Sequence, residues 1–287
     1  MYEPSARVVL ITGASTGIGR VSAWRFAAEG ARLALAGRDG ASLEQVAAQC
    51  RDRGAAEVLT QPTDIADRSQ VERLFDHATR QLGTPDVVVQ NASVAVIGRL
   101  TEIPAEVIDA LIATDVLGVI YVARAAVQRF TARGSGSLVI VGSLFGHVAV
   151  PLVGPYVISK FAVTALVRVL RQETRDHPGV TVHGIYPGAV NTAIYRHAAN
   201  YLARVPRVPP LADPPEKIAA TIVDASYRRR SRDRQVGVVN APLRVVYRLL
   251  PRVFDRYAEP LVRLIGFTGE HTRADSGNTG ATADRLP

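Results

Sequence analysis

The sequence has very little cysteine and no long apolar run, and each shortage excludes a class of protein. A single cysteine, Cys50, in 287 residues excludes an intrachain disulfide framework and a cysteine-based zinc cluster. Because no uninterrupted apolar run of about 18 residues is present, no membrane-spanning helix is predicted. The N-terminus leads directly into a strand-like run at 8–12, which leaves no room for a signal peptide. We therefore expect a cytoplasmic protein in a reduced compartment.

Acidic residues are fewer than basic ones, and the imbalance lies in the last third of the chain. The formal net charge is +8. Residues 1–192 hold 18 cationic and 17 anionic side chains, whereas residues 193–287 hold 16 and 9. Basic charge without a recognition motif gives only nonspecific, salt-sensitive binding to nucleic acid. No specific nucleic-acid partner is predicted.

Short apolar runs alternate with stretches of helical spacing, and most of these stretches end at glycine. The runs lie at 8–12, 32–36, 56–60, 86–90, 137–141 and 180–186, and the helical stretches at 18–29, 42–53, 69–81, 104–133 and 156–176. Strands that are apolar on both faces and alternate with amphipathic helices are typical of βαβ units. We therefore predict an α/β fold, a doubly wound parallel sheet in three layers with helices on both faces.

The first apolar run ends in a glycine-rich turn that opens the first helix. The turn reads Thr12-Gly13-Ala14-Ser15-Thr16-Gly17-Ile18-Gly19. Such a turn directs backbone N–H groups and the positive helix end toward an anion. Gly13 permits the tight turn, Gly17 the close approach of a pyrophosphate, and Gly19 the packing of the helix on the sheet. The turn predicts a dinucleotide site that Ser15, Thr16 and Ile18 also line.

The end of the second strand indicates which dinucleotide binds. An NAD site usually has an acidic residue there for the ribose 2′-hydroxyl, and an arginine suits the 2′-phosphate of NADP. Gly37 stands near the acid's position and Arg38 follows, so NADP(H) is preferred and NAD(H) stays possible, since Asp39 could touch the adenosine. After the third strand, Asp64 and Ile65 are expected beside the adenine, with helix capping as the alternative for Asp64.

Tyr156 and Lys160 lie one helical turn apart and predict a proton-transfer site. A nearby ammonium favours the phenolate of a tyrosine whose free pKa is about 10. The chain has only two lysines, and the use of one at this position favours a specific role. Ser143 follows the fifth strand, where its hydroxyl could hold a substrate oxygen, and His147 is a weaker candidate for substrate contact.

Together these residues resemble the short-chain dehydrogenase/reductase family, in its single-domain branch, from about residue 7 to residue 191. The resemblance implies a Rossmann-type fold and hydride transfer between NAD(P) and a carbonyl or alcohol carbon. It implies that Tyr156 is the acid/base, that Lys160 lowers its pKa and holds the nicotinamide ribose, and that Ser143 polarises the carbonyl. It also implies a homodimer or homotetramer. The further cofactor contacts that it implies are Asn91, Ala92, Pro187, Gly188, Val190 and Thr192.

Two positions depart from the family pattern. Ser93 stands where the family usually has glycine, and Asp115 stands where it usually has the asparagine of the catalytic tetrad. An ionised Asp115 near Lys160 would partly cancel the effect of the ammonium on Tyr156. The alternative function is therefore a dinucleotide-binding regulator with weak or no turnover, although Ser143, Tyr156 and Lys160 argue against it. We expect Asp115→Asn to leave some activity.

The last residues are predicted to form an extension, 241–287, beyond a catalytic domain of 1–240. Within 242–265, arginines recur at four-residue steps among apolar residues, at positions 244, 248, 252 and 256. Such a segment is typical of a basic amphipathic element at a membrane interface, and packing on the body or on another subunit is the alternative. The last 20 or so residues are expected to be disordered. Ile194 and Tyr195, in the preceding loop, favour an apolar substrate.

Overall fold

The structure is a computed structural model that describes residues 6–279. The strands are β1 Val8–Thr12, β2 Arg32–Gly37, β3 Glu57–Pro62, β4 Val87–Gln90, β5 Val96–Ile97, β6 Gly136–Val141, β7 Val180–Pro187, β8 Ala199–Asn200, β9 Arg204–Pro206, β10 Asp233–Val236 and β11 Phe267–His271. Seven of them form a central parallel sheet in the order β10-β7-β6-β4-β1-β2-β3. The expected doubly wound, Rossmann-type sheet is confirmed.

Helices cover both faces of this sheet. They are α1 Gly17–Ala28, α2 Gly40–Asp52, α3 Arg68–Leu82, α4 Ala105–Ile112, α5 Val119–Arg133, α6 Gly154–Glu173, α7 Ile194–His197, α8 Pro215–Ser226, α9 Asn240–Leu249 and α10 Pro251–Gly266. One core layer joins the sheet to α3, α5 and α6, and the other joins it to α1, α2 and α8. The central strands are buried on both sides, as β4, Val87–Gln90, illustrates.

The long helical stretch predicted over 104–133 contains a change of helix type. Between α4 and α5, residues Ala113–Gly118 form a π-helical turn that includes Asp115. Such turns are frequent at functional sites. The run Ala105–Arg133 is also long and apolar enough, by length and composition, to cross a membrane, contrary to the sequence expectation. Half of its most apolar stretch is buried in the fold, and core helices often pass the same test.

The C-terminal extension is held at the sheet by the residue that directly precedes it. The buried Asn240 side chain donates hydrogen bonds to the Tyr186 carbonyl oxygen at 3.0 Å and to the Val236 carbonyl oxygen at 3.2 Å. From there α9 and α10 cross the body, where Phe254 and Ala258 pack beside Leu144. These buried contacts position the extension beside the loop that follows β6.

The structure differs from the expected disorder over the first part of the tail. Phe267–His271 forms strand β11, which pairs antiparallel with β9. Asp275 then bridges to Asn200, and its backbone N–H donates to the Asn200 carbonyl oxygen at 3.1 Å. The polar composition hid this order because the partner strand lies far away in sequence. The rest of the expected disordered segment, 280–287, lies outside the described residues.

Candidate active site

The carboxyl edge of the parallel sheet gathers most of the predicted site residues around one cavity of about 640 Å³. At such an edge the loops after successive strands converge, and ligands of open α/β sheets bind there. Each predicted contact lines the cavity except Gly19, Asp115 and His147. The lining members are Gly13, Ser15, Thr16, Gly17, Ile18, Arg38, Asp64, Ile65, Asn91, Ala92, Ser143, Tyr156, Lys160, Pro187, Gly188, Val190, Thr192, Ile194 and Tyr195.

The glycine loop forms a backbone cradle that side chains could not occupy. A Cβ at Gly19 would lie 2.1 Å from the Gly13 carbonyl oxygen, and one at Gly13 would lie 2.7 Å from the Ala92 Cα. Gly13 also has a positive φ of 63°. Asn91 fixes the loop, since its side-chain amide donates to the Gly13 carbonyl oxygen at 3.1 Å. Gly19 therefore shapes the cradle without lining it.

The start of α1 is open to an anion. Its N-cap residue, Thr16, makes no side-chain capping hydrogen bond, and its first turn contains no acidic residue. The free N–H groups and the helix dipole there suit a phosphate. A Cβ at Gly17 would lie 3.2 Å from Thr192 Cγ2, so glycine keeps this approach open.

The end of β2 presents an arginine and no free carboxylate. Asp39 caps α2, where its carboxylate accepts from the Ser42 N–H at 3.1 Å and from the Ser42 hydroxyl at 2.6 Å. A Cβ at Gly37 would make only ordinary contacts, so an acidic residue would fit there but is absent. The Arg38 guanidinium lines the cavity and donates to the Asn278 carbonyl oxygen at 2.5 Å.

Asp64 lines the same end of the cavity but does not cap the following helix. Its carboxylate accepts from the Ala66 N–H at 2.9 Å, within its own turn. The cap of α3 is Asp67, whose carboxylate accepts from the Ser69 N–H at 2.8 Å. The capping alternative for Asp64 is therefore wrong for this helix. Ile65 lies beside it and contacts the π-helical turn at Gly118, where a Cβ would meet Ile65 Cγ1 at 2.8 Å.

Tyr156, Lys160 and Ser143 meet at the other end of the cavity. The Lys160 ammonium lies 5.1 Å from the centroid of the Tyr156 ring. Ser143 accepts a hydrogen bond from the Phe145 N–H at 3.1 Å, so its own hydroxyl proton can be donated to the Tyr156 oxygen or to a substrate oxygen. Helix α6 carries Tyr156 and Lys160 one turn apart, and the loop after β6 carries Ser143.

Asp115 and Ser93 hold the buried ammonium of Lys160 from its other side. Lys160 lies 3.0 Å from Asp115 Oδ2 and donates to the Ser93 hydroxyl oxygen at 2.9 Å. The Ser93 hydroxyl in turn donates to Asp115 Oδ2 at 2.5 Å, and the Val94 N–H donates to Asp115 Oδ1 at 2.8 Å. The ion pair is closed to solvent, with Asp115 0% and Lys160 2% exposed. The two departures from the family pattern are therefore in direct contact.

These contacts give the two titrating groups defined pKa directions. Burial raises the pKa of Tyr156, Lys160 opposes this, Asp115 adds to the rise, and a hydrogen bond with Ser143 opposes it. The net shift of the Tyr156 pKa is upward. Lys160 acts to lower this pKa, but burial and Asp115 raise it by more. Burial by itself lowers the pKa of Lys160, but Asp115 and Tyr156 outweigh it, and the net pKa rises.

The substrate candidates separate into two groups. Ile194 and Tyr195 line the cavity, and burial raises the pKa of Tyr195 to about 12, with Tyr156 adding to the rise. His147 packs edge-on against Tyr186, with ring centroids 4.5 Å apart, and does not line the cavity. The suggested contact between His147 and substrate therefore has no support in this geometry, because the ring packs on Tyr186 outside the cavity lining.

Several cavity residues escaped the sequence reasoning. The C-terminal extension contributes an apolar wall that comprises Leu243, Leu261, Val262, Ile265 and Phe267. The amphipathic pattern of 242–265 was a signal for burial, but it did not identify the surface against which the helices pack. Ser93 departs from the family pattern, but its contact with Lys160 could not be predicted because the fold brings the two residues together.

A glycine cradle at the first strand, joined to a serine, a tyrosine and a lysine in one cavity, defines a dinucleotide-dependent oxidoreductase of the Rossmann type. A family model described as short chain dehydrogenase matches residues 7–201. The chain therefore belongs to the short-chain dehydrogenase family.

Similar proteins agree with this assignment. The uncharacterized oxidoreductase YxnA of Bacillus subtilis is 31% identical over 259 residues, which cover 89% of this chain and 72% of that protein. The 17-beta-hydroxysteroid dehydrogenase 13 of Rattus norvegicus is 31% identical, over 77% of this chain and 71% of that protein. The alcohol dehydrogenase of the archaeon Thermococcus sibiricus, complexed with 5-hydroxy-NADP, has a TM-score of 0.71 and 28% identity, over 82% of this chain and 98% of that chain.

Proposed function

We propose that the protein catalyses NADP(H)-dependent oxidoreduction of a carbonyl/secondary alcohol pair on an apolar substrate, with Tyr156 as the acid/base. The observation that carries this proposal is the single cavity that joins the glycine cradle to Tyr156, Lys160 and Ser143. A regulator that merely bound a dinucleotide would not require that trio.

The residues can move and stabilise charge as carbonyl reduction requires. Bound NADPH would supply the hydride. The Tyr156 hydroxyl would give its proton to the substrate oxygen, while the Ser143 hydroxyl donates a hydrogen bond to the same oxygen. Lys160 would stabilise the resulting phenolate and reach the nicotinamide ribose. Asp115 and Ser93 act as positioning residues, because they fix the ammonium by a charge pair and a hydrogen bond.

The preference for NADP(H) rests on Arg38. A guanidinium can meet a 2′-phosphate with paired, charge-assisted hydrogen bonds, and Asp39 is engaged as a helix cap. The cradle suits a pyrophosphate, because the start of α1 has no side-chain cap and no acidic residue in its first turn. We expect Arg38→Gln to weaken NADPH binding by about tenfold or more and to change NADH binding little, as measured by fluorescence titration.

The apolar substrate rests on the walls beyond Tyr156. The cavity there is lined by Leu144, Val153, Ile194, Leu243, Leu261 and Val262. Such a lining favours a bulky hydrophobic ketone or alcohol through burial of its surface. We also propose that the protein works as a homo-oligomer inside the cell, with peripheral membrane contact through 242–265.

Turnover of NADPH against a panel of apolar ketones tests the reaction, with Tyr156→Phe as the matched control. The proposal expects a loss of at least about a hundredfold in kcat for Tyr156→Phe with unchanged NADPH binding. Dinucleotide binding without turnover on any compound would favour the regulator instead. Failure to bind either dinucleotide would remove both functions.

A further inference from the structure

Helix α10 has a wider apolar surface than its contacts with the body use. Phe254 and Ala258 are buried against the rest of the protein. The neighbouring positions Val253, Tyr257 and Leu264 are apolar too, yet they are exposed, and Leu264 is 69% exposed. At 3.6 residues per turn the buried and exposed sets lie side by side on one broad apolar arc. About half of this arc is therefore without a partner among the described residues.

Helix α9 repeats this arrangement. Leu243 and Val246 pack toward the body, whereas Val245 and Leu249 face outward, with Leu249 69% exposed. Each of the two consecutive helices thus presents exposed apolar side chains beside its buried ones. Exposed apolar patches of this kind mark interaction sites.

Arginines border the apolar arc on both helices. Each of four outward apolar residues is preceded directly by an arginine, in the pairs Arg244–Val245, Arg248–Leu249, Arg252–Val253 and Arg256–Tyr257. One residue corresponds to about 100° around a helix, so the arginines lie along one edge of the apolar arc. None of these four arginines forms an ion pair within residues 6–279. We call the four arginines together with Val245, Leu249, Val253, Tyr257, Leu261 and Leu264 the outer face.

The outer face adjoins the mouth of the active-site cavity. Leu261 belongs to both, since its side chain lines the cavity and is exposed. Val239 and Leu211 share this property, and Leu211 is 72% exposed. An apolar molecule could therefore pass from a partner of the outer face into the cavity without crossing water.

We propose that the outer face binds an anionic lipid surface and that the substrate enters the cavity from the lipid. Apolar side chains at the centre and arginines at the border match acyl chains and phosphate headgroups, and arginine stems extend along such an interface. Two copies of this face packed around a twofold axis would bring like-charged arginine rows together, which disfavours a second copy of the chain. Lipid binding by the outer face does not depend on the proposed reaction. The substrate route, in contrast, rests on the proposed reaction.

Vesicle sedimentation of the full-length protein tests the binding. Phosphatidylglycerol-containing vesicles should bind the protein at low salt, and pure phosphatidylcholine vesicles should bind it much less. Leu249→Asp/Leu264→Asp should lower partitioning about tenfold or more, and Arg248→Gln/Arg252→Gln should lower it about tenfold and weaken the salt dependence. The matched controls are Val169→Asp, at an exposed apolar site on α6, and Arg229→Gln/Arg230→Gln, at exposed arginines outside the face.

Three results would overturn the proposal. The first is no vesicle binding at low salt, and the second is an equal loss of binding in the control variants. The third is a dimer in solution that Leu249→Asp/Leu264→Asp converts to monomer, because a second copy of the chain would then cover the outer face. Turnover of a water-soluble ketone by the same variants separates the two proposals. It should remain unchanged, since none of the substituted residues lines the cavity, while turnover of a vesicle-dissolved ketone should fall with binding.

Discussion

At the scale of single residues, one buried ion pair sets the chemistry of the site. Lys160 and Asp115 lie 3.0 Å apart and are closed to water. The carboxylate partly cancels the field that the ammonium exerts on Tyr156. Since burial and Asp115 together raise the pKa of Tyr156, its phenol stays protonated at neutral pH. This protonation state is the one that the proposed ketone reduction requires of Tyr156.

The pH dependence of the two reaction directions should reveal this state. In the proposed mechanism ketone reduction needs the Tyr156 phenol, so it should lose activity only at alkaline pH. Alcohol oxidation would need the phenolate and should increase with pH. Because Asp115 raises the pKa of Tyr156, Asp115→Asn should remain active and move the oxidation limb to lower pH. Profiles of kcat/KM for the wild type and the variant measure this, and an unmoved limb or a dead variant would contradict it.

Ser93 and Asp115 should behave as a coupled pair. Ser93→Ala removes both the donor to Asp115 and an acceptor for Lys160, so kcat should fall about tenfold. Because the contacts are shared, the effects of Ser93→Ala and Asp115→Asn should not add in the double variant. Ser93→Thr keeps the hydroxyl and should restore most of kcat. Additive effects, or a Thr variant as slow as Ala, would show that the hydroxyl does not position the lysine.

At the scale of secondary-structure elements, the loops after the parallel strands determine where each chemical group lies. The cradle after β1 depends on the space that glycine leaves free. We expect Gly19→Ala to abolish dinucleotide binding, because its Cβ would meet the Gly13 carbonyl oxygen. Fluorescence titration with NADPH checks this, and Gly269→Ala, at a glycine without a positive φ whose Cβ would meet nothing, is a control for general effects of substitution. Wild-type affinity in Gly19→Ala would contradict the role of the cradle.

The alternation of apolar runs and helical stretches was sufficient to predict the sheet, and the glycine turn, Tyr156 and Lys160 were sufficient to predict the cavity. The π-helical turn at Ala113–Gly118 was not predictable, because one additional residue in a turn barely changes hydrophobic periodicity. Strand β11 was missed because its stability comes from pairing with β9 and not from its own polar residues. The contact between Ser93 and Lys160 likewise depends on tertiary structure.

At the scale of the whole molecule, the fold buries a histidine that limits its stability in acid. His183 lies on the buried strand β7, and neither ring nitrogen has a hydrogen-bond partner among the described residues. Burial lowers its pKa from 6.5 to about 4; Arg171 and Arg234 add to this, and Asp233 and Asp224 oppose it. Between these two values the unfolded chain binds a proton at His183 that the folded chain does not bind. Stability therefore falls as pH drops from about 6.5 to about 4.

This linkage predicts a loss of about 2 kcal/mol in the free energy of unfolding between pH 7 and pH 5 from His183. His183→Leu should remove that part of the loss. Urea unfolding of both proteins at the two pH values measures the difference. An equal decline in the variant and the wild type would show that His183 is not the responsible group.

The C-terminal extension also matters at the scale of the whole molecule, because its buried side completes the cavity that holds Tyr156.

We propose that hydride passes from NADPH to an apolar ketone in this cavity while Tyr156 supplies the proton. The decisive measurement is mass spectrometry of the alcohol formed from NADPH that is deuterated at the transferring position of C4. We expect one deuterium at the former carbonyl carbon and almost no product from Tyr156→Phe. A product without deuterium, or equal rates in wild type and Tyr156→Phe, would contradict it.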